Sequence, residues 1–180
     1  MSSEKQKFEY QENFANSKET IIALCQELKT MFPNFEMKLD LEPTRAEGED
    51  QALKLEIPKQ KNLKFEVSIY VWTNSEEDWR YFLYLSVNQI GFAWSPFDEN
   101  GFVDMEVVHR VKDVVVGLLK GDYRVVETHR GVFCIEAEIQ RSKNETWEAL
   151  ASSGPFGLVF LRSLPVTNIR ILQNTSAPRN

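Results

Sequence analysis

LKFEVSIYVWTNSEEDWRYFLYLSV, residues 63–87, decides the fold class. Its odd positions Leu63, Phe65, Val67, Ile69 and Val71 are apolar, and after an acidic break the row resumes with Tyr81, Leu83, Leu85 and Val87. A strand sends successive side chains to opposite faces. The spacing therefore predicts two strands sharing one core face. The even positions begin polar at Lys64, Glu66 and Ser68, then turn aromatic at Tyr70 and Trp72, with Phe82 and Tyr84 beyond Arg80. A solvated sheet would carry polar residues there, so the second face needs a cover, from this chain or from another molecule.

Upstream, Ile21, Leu24, Cys25, Leu28 and Met31 recur at helical spacing, predicting a helix over Lys18–Met31 with Ser17 as N-cap and Pro33 as its stop. Phe35, Met37, Leu39 and Leu41, then Leu53, Leu55 and Ile57, alternate with charged residues as strands do. The strand that starts at Tyr81 is expected to run on through Ile90, Phe92 and Trp94, with a bulge or bend at Gly91.

Downstream, a valine-rich stripe predicts a second helix from Asp104 to Lys120, ended by Gly121. Valine is a poor helix former, so burial must hold this helix. A hairpin is expected from Tyr123–Thr128 and Val132–Gln140, and Asn144 is expected to cap a short helix holding Trp147 and Leu150. Strands at Leu158–Leu161 and Asn168–Leu172 complete the order. The expectation is an α+β fold: a mostly antiparallel sheet of meander and hairpins packed against two main helices. One domain should span residues 17–173, with residues 1–16 as an N-terminal arm and 174–180 as a flexible tail.

Composition narrows function more than it names it. The net charge is −6 and the pI about 5.1, without a basic block, which argues against nucleic acid as the main ligand. Residues 1–16 lack the apolar run of a signal peptide, and no stretch has the roughly 20 apolar residues of a membrane span. Two cysteines make no disulfide framework, so a cytoplasmic setting is expected. The two histidines, His109 and His129, form no metal-ligand cluster with the cysteines, and no cofactor motif is present. Asp98, Glu99, Asn100, Gly101, Asp104 and Glu106 read as a turn leading into a helix cap. A Cys134–His129 nucleophile pair is conceivable across a hairpin, but acidic neighbours raise a thiol pKa and oppose activation.

The aromatic face remains. The favoured account covers it from within, using the C-terminal strands, Trp147 or the N-terminal arm, because large exposed apolar patches are uncommon in monomers. The functional account makes Tyr70, Trp72, Trp79, Phe82 and Tyr84 the contact centre for a protein partner, with Glu76, Glu77 and Asp78 attracting a basic one. The expected function is thus a non-catalytic, acidic protein-binding module. The element order resembles that of small secretion-chaperone-like folds, and immunity proteins to polymorphic toxins share the acidity and compactness, though no motif supports either likeness. The alternatives are an enzyme or small-ligand binder using Glu127, His129 and Arg130 between sheet and second helix, or a homodimer closing over the aromatic face.

Overall fold

The computed structural model describes residues 18–41, 51–61, 63–73, 81–88, 90–94, 105–154 and 165–174. Helix α1 covers residues 18–31, and the Phe32 amide still donates to the Leu28 carbonyl at 2.8 Å before Pro33 stops the ladder. Strands β1 (Lys38–Asp40), β2 (Gln51–Ile57), β3 (Val67–Thr73), β4 (Tyr81–Val87) and β5 (Ile90–Trp94) follow. They form an antiparallel sheet in sequence order. Helix α2 (Met105–Lys120) comes next, then β6 (Tyr123–Arg130), β7 (Phe133–Lys143), β8 (Thr146–Ser153) and β9 (Asn168–Gln173). These four make a second antiparallel sheet in the order β8-β7-β6-β9. The fold is α+β with two sheets, where the sequence pattern suggested one.

Alternation builds the core. Leu53, Leu55 and Ile57, Val67 and Ile69, Leu83, Leu85 and Val87 are all buried on one face of the first sheet. Ile21, Leu24 and Leu28 of α1, Val111, Val115 and Leu118 of α2, and Val125 and Ile139 of the second sheet belong to the same buried cluster. Burial thus compensates for the weak helix propensity of the valines. The Lys112 ammonium bonds Glu27 at 2.9 Å and ties α2 to α1 at the surface, holding the Glu27 carboxyl below its usual range.

Three expectations are corrected. The strand beginning at Tyr81 does not run on: Asn88 takes φ 51°, the chain reverses, and β5 returns antiparallel to β4. The short helix around Trp147 is instead β8. Asn144 and Glu145 take φ 50° and 65°, the geometry of a two-residue hairpin turn that matches strand twist. Glu148 then pairs with Arg141 across the ladder at 2.9 Å. Third, residues 63–66 lie outside β3. The Gln60 and Leu63 backbones bond each other in a tight turn, yet Leu63 and Phe65 stay buried.

Asn174, expected in the tail, is buried as well. Its side-chain amide donates to the Leu119 carbonyl at 3.0 Å, and its oxygen accepts from the Lys64 amide at 3.2 Å. One side chain so fastens the end of α2 to residues 63–66. The strand expected at Leu158–Leu161, the acidic turn before α2 and the N-terminal arm lie outside the described residues.

Candidate functional site

On the first sheet Tyr70 stands opposite Tyr84, two ladder positions from the Trp72–Phe82 pair on the same face. The Tyr70 and Tyr84 rings meet edge to face with centroids 6.2 Å apart, and the Lys54 ammonium lies 5.4 Å from the Tyr70 centroid. Lys54 also pairs with Glu56. Ser68 and Ser86, further along this face, are buried, whereas Tyr70 and Tyr84 are half-buried. The face is therefore closed at Ser68–Ser86 and partly open at Tyr70–Tyr84. Trp72 and Phe82 are placed by register alone, and Glu76, Glu77, Asp78 and Trp79 lie outside the described residues. Trp147, one proposed cover for the face, instead stacks under the Arg124 guanidinium, 3.9 Å from its ring centroid.

The second sheet has its own open face, which the sequence pattern did not signal. Successive rungs across β7, β6 and β9 are Glu136–Thr128–Ile169 and Glu138–Val126–Ile171, and Phe133 faces Arg130 one rung towards the hairpin tip. Residues opposed in register share a face, so carboxylates line one side of this surface and isoleucines the other. Phe133 is 52% exposed, Ile169 59% and Ile171 52%. In Asn168–Gln173 the apolar alternation would ordinarily place both isoleucines inward. Pairing with β6 does the reverse, turning Arg170 and Leu172 to the face of Glu127 and Val125.

That inner face carries the polar group nominated as a ligand site. The structure brings Glu127 and His129 together, with Nε2 of His129 2.8 Å from Oε2 of Glu127, and adds Arg170, Nη1 of which lies 3.7 Å from the same oxygen. Arg130 departs from them: strand alternation and its pairing with Phe133 put it on the outer side.

Cys134 stands opposite His129 in register, where a bulge follows Thr128, but its thiol donates to the Glu136 carbonyl at 3.4 Å. Burial, then the negative charge of Glu127, push this thiol above its ordinary range. A raised pKa means less thiolate at a given pH, the reverse of what a nucleophile needs. Alkylation of Cys134 by iodoacetamide should thus accelerate at higher pH than for the unfolded chain, while Glu127→Gln should move the profile to lower pH. Mass-resolved alkylation rates check this, with buried Cys25 reporting that the chain is folded.

Among the described residues no group of three or more His, Cys, Asp or Glu side chains is arranged to hold a metal ion, and no helix is long and apolar enough to cross a membrane. Comparison with protein-family models, with curated proteins and with solved structures gives no match.

Proposed function

We propose that this chain is a non-catalytic, acidic module that recognises another protein, and that the preferred partner is basic. The observation that supports this most is the outer face of the second sheet, where Phe133, Ile169 and Ile171 are exposed beside Glu136 and Glu138. Apolar residues in the middle of a contact exclude water, and charges at the rim steer the approach and select the partner's sign. The net charge of −6 acts in the same direction at longer range. The half-open Tyr70–Tyr84 face, with Trp72 and Phe82 on the next shared position and Glu76–Trp79 in the connecting segment, is the second contact surface in this reading. A single domain, with its helices packed on the sheets, agrees with the one buried cluster drawn from both helices and both sheets. Two free cysteines suit a cytoplasmic setting.

A photo-crosslinking phenylalanine analogue replacing Phe133, and separately Tyr84, tests the proposal in the cell of origin. The expected result is a defined adduct with a lysine- or arginine-rich protein from position 133. Ile169→Ser should weaken that complex about tenfold or more, because burying one aliphatic side chain is worth about 1.5–3 kcal/mol. Glu136→Lys should weaken it further. An adduct from position 84 alone would transfer the contact to the first sheet; no adduct from either position would refute a binding role for both faces.

A further inference from the structure

The Glu127 side chain is 3% exposed and stands on the inner face of the second sheet between Val125 and His129, opposite Ala137. Taking a carboxylate out of water is costly unless its oxygens are met by donors. Oε2 meets one at 2.8 Å, His129, with the Arg170 guanidinium as an ion pair 3.7 Å away, but Oε1 has no hydrogen-bond partner. Such an orphan in the interior calls for a physical explanation. The group sits where cover ends: along β9, Leu172 is buried, whereas Arg170 and Asn168 on the same face are exposed. Arg170 holds Glu127 at a long 3.7 Å, with its own side chain 54% exposed, so its guanidinium retains donors for a second acceptor.

We propose that this edge of the inner face binds a small zwitterion of the amino-acid type, its ammonium on Glu127 Oε1 and its carboxylate on Arg170. Charge balance selects the class. A lone cation would face Arg170 without compensation, and a lone anion would face buried Glu127. A zwitterion sets each end against the opposite sign, and the Arg170–carboxylate pair can be bidentate. His129 holds Oε2 and so orients the carboxylate, which makes it a positioning residue.

Isothermal titration and thermal-shift assays on the full chain test this with glycine, 3-aminopropanoate and 4-aminobutanoate, which separate the two charges progressively. Methylammonium and acetate supply the single charges. The expected result is saturable binding of at least one zwitterion, with at least tenfold weaker binding of both single-charge probes. Glu127→Gln and Arg170→Gln should each reduce affinity at least tenfold, and Glu136→Gln, on the opposite face, should leave it unchanged. Arg170 is exposed, so its variant separates lost binding from lost folding. Absence of binding by every zwitterion, or unchanged affinity in Arg170→Gln, would overturn the proposal and leave Oε1 to an ordered water. Neither result bears on the outer-face protein contact.

Discussion

Phe65→Ala should lower the unfolding free energy by about 3–5 kcal/mol, the range for emptying a large aromatic site in a packed core. Phe65 is 1% exposed, although the segment around it is not part of β3. Backbone hydrogen bonds there come from the Gln60–Leu63 turn, from Asn174, and from the Asn88 amide just past β4, which donates to the Glu66 carbonyl at 3.1 Å. Apolar burial by Leu63 and Phe65 adds to these few bonds in holding residues 63–66, and removing the ring leaves a cavity in the core. Lys64→Ala, which truncates the exposed side chain between them, should stay within about 0.5 kcal/mol of the parent. Urea denaturation of the two variants measures the contrast. A Phe65→Ala cost near that of Lys64→Ala would show that the segment is held by its backbone instead.

Gly91→Ala should destabilise by about 1–3 kcal/mol, as overpacking does, and the sign should depend on Tyr84. A Cβ at residue 91 would overlap the Tyr84 Oη and Cζ, so the ring would have to leave. Its departure would also break the edge-to-face contact with Tyr70. With the ring removed by Tyr84→Ala, the same methyl group should be neutral or stabilising, because alanine costs less chain entropy in a strand than glycine. A double-mutant cycle isolates this coupling. Equal effects of Gly91→Ala in the two backgrounds would mean that Tyr84 does not lie across Gly91 in solution.

Gly91 illustrates what could and could not be read from residues alone. A glycine among Ile90, Phe92 and Trp94 signals a special position in a strand, and the bulge or bend expected there took that signal for a kink. The structure shows a close approach by a ring from the adjacent strand. The Trp147–Leu150 segment misled for a different reason. Its spacing suits a helix, but the turn at Asn144–Glu145 and the Arg141–Glu148 pair favour a hairpin, and both depend on β7 lying alongside.

The residues proposed for partner contact followed the same division. Tyr70 and Tyr84 were visible as aromatic side chains on the wrong face of a strand. Ile169, Ile171 and Phe133 were not, because an isoleucine alternating with polar neighbours ordinarily points inward.

By itself, the sequence determined the two long helices, most strands of the first sheet and that sheet's core face. These follow from periodicity over a few residues, where local geometry and burial agree. Only the tertiary structure decided the division into two sheets, the outward turn of Ile169 and Ile171, and the meeting of Glu127, His129 and Arg170. A shift of one residue in strand register exchanges the faces of a strand. For β9 that register is set by pairing with β6, which lies far away along the chain, and no local pattern in residues 168–173 specifies it.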